Sequence, residues 1–199
     1  PTLQVPERVL APLEPTPEVR TMQGTMAAAR AHCANARGDT LTAARYAHQA
    51  LEQLPDCSSI SCSVRSVATS LLGDASWING DLEEAARAYA EAIRIGREAG
   101  SLHMAILASS NLADTLSEQG LLHRAAATYD QSLQLAVRPD GQRSPLATGL
   151  LAGLARLAYE QNRLDDAGTY IGQCIDLCRR WGDADLQAAG CALQARLEQ

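Results

Sequence analysis

Six cysteines and four histidines are the side chains of this chain best suited to bind a metal or act as a nucleophile. Cys174 and Cys178 lie four residues apart, which places them on one face of a helix, and Cys191 follows in the next predicted helix. A metal or disulfide site there is conceivable, as is a pair between Cys57 and Cys62 under oxidation. However, the CxxC spacing typical of structural zinc is missing. The pattern favours thiols that pack as small apolar side chains, with no metal bound.

Other catalytic motifs do not occur in the sequence. The four histidines form no HExxH motif, and neither a GxSxG motif nor a glycine-rich phosphate loop is present. All 17 basic residues are arginine, so the lysine of a nucleotide-binding P-loop is absent as well. A Cys–His pair brought together by folding stays open. We expect a protein that is not an enzyme and that uses no cofactor.

Charge and hydropathy limit the partners of this chain. Its net charge of -6 argues against direct contact with nucleic acid, which requires a basic surface. The sequence contains no run of about 18 apolar residues and no signal peptide. We therefore expect no membrane contact and a cytoplasmic location, where thiols stay reduced. Because the chain starts at Pro1, we also expect it to be processed or excised from a longer protein.

A long internal repeat organises the rest of the sequence. Four corner dipeptides, at residues 38–39, 80–81, 120–121 and 162–163, are each followed by an alanine five positions after the first corner residue. These alanines are Ala43, Ala85, Ala125 and Ala167. Four positions further on stand Ala47, Tyr89, Tyr129 and Ile171. A match in constant register over four copies indicates a repeat protein built of helix pairs.

Turn and capping residues place the helix ends. Glycine or asparagine at each corner predicts the left-handed residue that ends a first helix. Asp81 is expected to cap the next helix, with Glu84 as its capping-box partner, and Ser144 to cap a helix that starts at Pro145. The predicted pairs cover 18–54, 59–99, 101–137 and 145–181. A proline-rich lead at 1–17 precedes them, and a final helix at 183–199 follows.

The repeated columns resemble the tetratricopeptide repeat (TPR), lengthened from 34 residues by roughly one turn per helix. Strings such as GDLEEAARAYAEAIRIGREAGS and LARLAYEQNRLDDAGTYIGQCIDLCRRWGD resemble the sensor region of MalT-like, large ATP-binding LuxR-family transcription regulators. The resemblance extends over about residues 18–199. It implies an all-α, right-handed superhelix, or α-solenoid, of four TPR-like helix pairs plus one terminal helix, in a bacterial signalling protein.

Regulators of that family carry an ATPase module before the superhelix and a helix-turn-helix domain after it, and neither motif occurs in this sequence. The resemblance therefore implies an excised regulatory domain that binds a small polar effector or a protein partner in its concave groove. The alternative is a protein–protein interaction scaffold of another signalling protein, without a small ligand. A further hypothesis is self-association through the last helix, since no following helix covers its apolar face (Leu186, Ala189, Leu193 and Leu197).

Twelve candidate groove residues follow when the family's groove columns are carried onto the first helix of each pair. They are Thr25, His32, Asn35, Ser70, Asp74, Trp77, Ser110, Asp114, Ser117, Arg156, Tyr159 and Glu160. Hydroxyls, acids, an arginine and aromatic rings can hold a polar small molecule or a peptide. Trp77 either contributes to this surface or packs against a neighbouring helix. The columns that hold the lysine and asparagine of a chaperone-binding carboxylate clamp carry other residues here.

Overall fold

The computed structural model describes residues 16–54 and 59–181. The secondary structure of these ranges consists of eight α-helices and one isolated β-bridge. The helices are α1 Pro17–Ala36, α2 Thr40–Gln53, α3 Ser59–Ile78, α4 Leu82–Glu98, α5 Leu102–Glu118, α6 Leu122–Leu135, α7 Ala147–Glu160 and α8 Leu164–Trp181. Each helix contacts the next, and the first helices of adjacent pairs also contact each other, α1 with α3, α3 with α5, and α5 with α7. This pattern confirms the predicted all-α solenoid.

Left-handed residues end the first helix of each pair, as the corner motif predicts. Gly38, Gly80, Gly120 and Asn162 all have positive φ, with 81° at Gly80. The Gly80 amide donates to the carbonyl of Trp77 at 2.9 Å, and the Asp81 amide donates to that of Ser76 at 2.9 Å. These two bonds satisfy carbonyls at the end of α3 and reverse the chain into α4.

The cap of α4 is only half of the predicted capping box. The Asp81 carboxylate accepts the Glu84 amide at 3.0 Å, as expected. The reciprocal bond from the Glu84 side chain does not form, because the Asp81 amide already donates to the Ser76 carbonyl. Glu84 instead pairs with Arg87 at 2.5 Å.

Small residues let the paired helices approach closely. The four column alanines, Ala43, Ala85, Ala125 and Ala167, are completely buried. The residues one turn later, which are larger in the last three repeats, are buried as well, with Tyr129 filling the space between α5, α6 and α7. A Cβ on Gly153 of α7 would lie 2.4 Å from the Tyr129 ring, so the ring fits only because α7 has no side chain there.

Two predicted helix starts differ from the structure. Helix α1 begins at Pro17, inside the predicted lead, because the Thr16 hydroxyl caps it and proline is tolerated at the first helical position. Helix α7 begins at Ala147 rather than at residue 145. The Ser144 and Pro145 carbonyls accept bonds from residues only three positions ahead, which makes a tight turn before the helix.

Other predictions lie outside the described residues. They are most of the lead, the final helix at 183–199 with its self-association surface, and both Cys57 and Cys191. Cys62, Cys174 and Cys178 are buried in the helix packing. Within the described ranges, no helix is long and apolar enough to cross a membrane.

Candidate functional site

A groove with a volume of about 880 Å³ runs along the first helices of the four pairs. Its wall consists of Asn35, Asp74, Trp77, Ile78, Tyr89, Asn111, Asp114, Thr115, Ser117, Glu118, Arg156 and Glu160. Helices α1, α3, α5 and α7 supply all of these residues except Tyr89, which projects from α4. Stacking of the helix pairs thus aligns polar positions that lie a whole repeat apart in the sequence.

Seven of the twelve candidate residues lie in this wall: Asn35, Asp74, Trp77, Asp114, Ser117, Arg156 and Glu160. The other five, Thr25, His32, Ser70, Ser110 and Tyr159, are not part of it. The Thr25 hydroxyl donates to the carbonyl of Thr21, one turn earlier in α1. His32 is close enough to Asp74 for its charge to act on that carboxyl. The structure therefore groups the candidates toward the ends of the first helices, nearest the corners.

Asp74 lies at the centre of a hydrogen-bond network that joins four helices. Its Oδ2 accepts the Asn35 side-chain amide of α1 at 2.8 Å. Its Oδ1 accepts the Tyr89 hydroxyl of α4 at 2.8 Å and the Asn111 amide of α5 at 3.3 Å. Both carboxylate oxygens thus have neutral donors, which hold the side chain in one orientation.

Burial sets the ionisation of this network. Loss of water around Asp74 raises the pKa of its carboxyl, although the donors Tyr89 and Asn35 and the nearby His32 act in the opposite direction. Burial, and then the adjacent Asp74 carboxylate, strongly raise the pKa of the Tyr89 hydroxyl. Tyr89 therefore stays protonated and remains a hydrogen-bond donor across the physiological pH range.

Asp114 repeats the same arrangement one repeat later. Tyr129 donates its hydroxyl to Asp114 Oδ1 at 2.5 Å, as Tyr89 does to Asp74. The additional partner is different, because Arg156 of α7 forms an ion pair with the same oxygen. Burial has the largest single effect and lowers the pKa of the Arg156 guanidinium, but the charge and hydrogen bond of Asp114 together with Tyr129 and Glu160 outweigh it, and the net change is upward. The Arg156 guanidinium therefore stays charged.

Trp77 forms the aromatic part of the wall. Its side chain is 41% exposed, and its Nε1 donates to Glu118 Oε2 on α5 at 2.8 Å. Trp77 therefore contacts a neighbouring helix and also presents its ring to the groove, and its role in ligand binding stays a prediction. An exposed ring of this kind can stack on a planar or apolar ligand group.

The lining has more acids than bases. It contains four carboxylates, Asp74, Asp114, Glu118 and Glu160, and one guanidinium, Arg156. Hydrogen bonds orient most of these groups before any ligand arrives, which lowers the entropy cost of binding. Among the described residues, no group of three or more His, Cys, Asp and Glu side chains could hold a metal ion.

Five wall residues were absent from the sequence prediction: Ile78, Tyr89, Asn111, Thr115 and Glu118. The sequence places Tyr89 in a repeat column with Tyr129 and does not show that its hydroxyl reaches the groove. Asn111 occupies the column of Leu71 and Gly153, so the repeat itself does not mark it as polar. The constant spacing from Asp74 to Tyr89 and from Asp114 to Tyr129 is a signal that could have linked each tyrosine to an acid.

Solved structures share this fold at low sequence identity. The apo form of RapI superposes with a TM-score of 0.78 at 14% identity, covering 96% of this chain and 67% of RapI. BtubC (BKLC) from P. vanneervenii superposes with a TM-score of 0.67 at 18% identity, covering 92% of this chain and 82% of BtubC. At these identities the likeness shows the helical-repeat fold alone.

Sequence comparison identifies the family. The HTH-type transcriptional regulator MalT of Serratia proteamaculans (strain 568) is 30% identical over 148 residues, which cover 74% of this chain and 16% of the regulator. The chain thus spans about one sixth of the length of that relative. The family model of the MalT-like TPR region matches residues 24–199, nearly the whole repeat array. The chain therefore belongs to the family of MalT-like TPR regions.

Proposed function

We propose that this chain is the regulatory domain of a MalT-type bacterial transcription regulator and binds an effector or a protein partner in the groove. The observation that carries the proposal is the wall itself, which places the Trp77 ring beside an oriented Asp74 and the Asp114–Arg156 pair. The family supports a regulatory binding role, and no catalytic step is proposed for these residues.

The wall suits recognition of a polar ligand. Donors and acceptors that are already fixed by protein hydrogen bonds can meet ligand groups without first being ordered. The Trp77 ring adds apolar contact area next to them. A ligand would therefore contact α3, α5 and α7 at once, and its binding would change how these repeats stack. In the longer regulator, which acts in the cytoplasm, that change would reach the modules on either side.

Thermal unfolding with a panel of compounds tests ligand binding. The panel contains oligosaccharides, nucleotides, amino acids and short unstructured peptides, each added at up to millimolar concentration. A compound present at 100 times its Kd stabilises the folded state by about 2.7 kcal/mol. For a chain of this size, that corresponds to an increase in Tm of roughly 5–10 °C.

Two tryptophan variants locate the binding site. Trp77→Ala should abolish the increase in Tm produced by the active compound. Trp181→Ala is the matched control, because Trp181 is 44% exposed and lies on α8, away from the groove. An equal loss in both variants would contradict groove binding.

The alternative function is a scaffold that binds only a polypeptide partner. It predicts that no small molecule raises Tm and that only a peptide does. Sequencing the gene on both sides of this segment tests the regulator assignment separately. An upstream GxxxxGK[ST] motif and a downstream helix-turn-helix would support the assignment, whereas other flanking domains would refute it.

A further inference from the structure

Helix α1 carries an exposed apolar stripe that the groove does not use. The stripe consists of Val19, Met22, Met26, Ala29 and Cys33, whose spacing of three and four residues places them on one helix face. Val19 is 42% exposed, Met22 66% and Met26 53%. Single exposed apolar residues are ordinary on a protein surface, but a continuous row of them marks an interaction surface.

Two of these columns, those of Met26 and Cys33, are buried in the later repeats. Aligned on the corner residues, Met26 corresponds to Ala68, Ala108 and Leu150, which are all fully buried. Cys33 is exposed, whereas its counterparts are buried. Those counterparts are Ala75, Thr115 and Leu157. At these two positions the stripe is therefore exposed because no helix of the described residues lies against it, and not because the positions normally face solvent.

The second helix of the preceding pair covers these columns elsewhere. Val64, Ala68 and Leu71 of α3 belong to one apolar cluster with Ala47 and Ala50 of α2. In the fourth repeat, the corresponding cluster joins residues of α7 to residues of α6. The contact face of the covering helix thus combines alanines with larger side chains, namely Leu51 and Tyr46 in α2 and Leu133 and Tyr129 in α6.

A polar contact also accompanies this interface. The Arg65 guanidinium of α3 donates to the carbonyls of Leu51 and Leu54 at 3.2 Å, at the carboxyl end of α2. The same alignment places Gln23 at the equivalent position of α1, where its side chain is exposed. A donor therefore stands where the carboxyl end of a covering helix would lie.

We propose that the α1 stripe is a docking surface for the second helix of a preceding repeat, supplied by the same polypeptide. The covering helix presents small and aliphatic residues to Met22 and Met26, and its last carbonyls to Gln23. The proposed contact is the same interface that α2, α4 and α6 make with α3, α5 and α7. It rests on the proposed function in one respect, that the chain is part of a longer regulator.

Thiol labelling of Cys33 tests this docking. The chain is compared with a version extended at its N-terminus by one repeat length of its natural gene, and iodoacetamide labelling of Cys33 is followed by peptide mass spectrometry. We expect Cys33 to be labelled at least about 10-fold more slowly in the extended protein, because burial removes the thiol from solvent. The natural full-length protein gives the same measurement if the extended version does not fold.

A charge on the stripe provides a second measurement. Met26→Asp should leave the Tm of the chain unchanged, because Met26 is exposed, and should lower that of the extended protein by about 5 °C or more, since a carboxylate would then be buried unpaired. Leu41→Asp is the control. Leu41 is an exposed leucine of α2 outside the stripe, and this change should alter neither Tm.

Several results would overturn the docking proposal. One is equal labelling of Cys33 in both proteins, and another is a natural gene with no residues before Pro1. If deleting residues 1–15 from the chain alone exposes Cys33 further, the chain's own N-terminal segment covers the stripe. If labelling slows as protein concentration rises, a second copy covers it. None of these results affects binding in the groove, so the two proposals can fail independently.

Discussion

Replacing Tyr89 with phenylalanine tests whether the Asp74 network stabilises the fold. The change removes the hydroxyl that donates to Asp74 at 2.8 Å and keeps the buried ring. A hydrogen bond to a charged acceptor contributes about 1.5–3 kcal/mol. The Asn35 and Asn111 donors remain, at 2.8 and 3.3 Å, so we expect no larger loss. Urea unfolding at pH 7 should therefore show a free energy of unfolding lower by about 1.5–3 kcal/mol.

The loss should depend on pH in a defined direction. Burial raises the pKa of Asp74 in the folded protein above its ordinary value of 3.8. Ionisation of Asp74 therefore lowers the folding stability as the pH rises from 3.8 through the pKa of the folded state. The Tyr89 hydroxyl opposes this cost by favouring the ionised form. Tyr89→Phe raises the pKa of Asp74 further, so the stability lost through this substitution reaches its full value at pH 7. The loss becomes smaller near pH 3.5, where Asp74 is protonated.

Tyr46→Phe is the matched control for this experiment. The guanidinium groups of Arg30 and Arg45 lie 5.9 and 5.2 Å from the centre of the Tyr46 ring. Its substitution should change stability by less than about 0.5 kcal/mol at either pH. An equal loss in Tyr89→Phe at both pH values would show that packing, and not the carboxylate, accounts for the effect. A loss at pH 7 no larger than that of the control would refute the assigned role of the network.

Two further substitutions test the helix packing and the caps by urea unfolding. Gly153→Ala should lower the free energy of unfolding by about 1–3 kcal/mol, because the added Cβ would meet the Tyr129 ring. Gly172→Ala, on the open face of α8, should raise it by about 0.5–1 kcal/mol. A Gly153→Ala variant as stable as the parent would contradict the close approach of α7. Asp81→Ala should cost about 0.5–2 kcal/mol through loss of the bond to a helix amide. Ser101→Ala, at the same position of α5 but without a side-chain cap bond, should cost less; equal costs would refute the capping argument.

The repeat columns were sufficient to predict the fold. The alanines at 43, 85, 125 and 167 bury completely because a helix pair can approach closely only over a small side chain. The corner glycines were equally predictable, since the reversal from α3 to α4 requires the positive φ found at Gly80. Both features depend on local geometry that recurs in every repeat, and the sequence therefore displays them four times.

The hydrogen-bond partners in the groove were harder to predict. Asp74 and Asp114 occupy the same column and bond the same tyrosine of their own repeat. Their partners from other repeats differ, because Asn111 stands in the column of Leu71 and Gly153, whereas Arg156 stands in the column of Asp74 and Asp114 themselves. Such contacts depend on how far each pair rotates relative to the next. That rotation is set by the packing between neighbouring repeats and not by any local motif.

The network around Asp74 limits how freely the repeats can be exchanged. This one carboxylate takes donors from three successive repeats, through Asn35, Tyr89 and Asn111. Deleting either neighbouring repeat, or duplicating or transplanting the second, would separate Asp74 from at least one of them and leave a buried charge short of donors. Although the sequence repeats, the second repeat is therefore not an independent unit, because its buried carboxylate needs hydrogen-bond donors from the repeats on both sides.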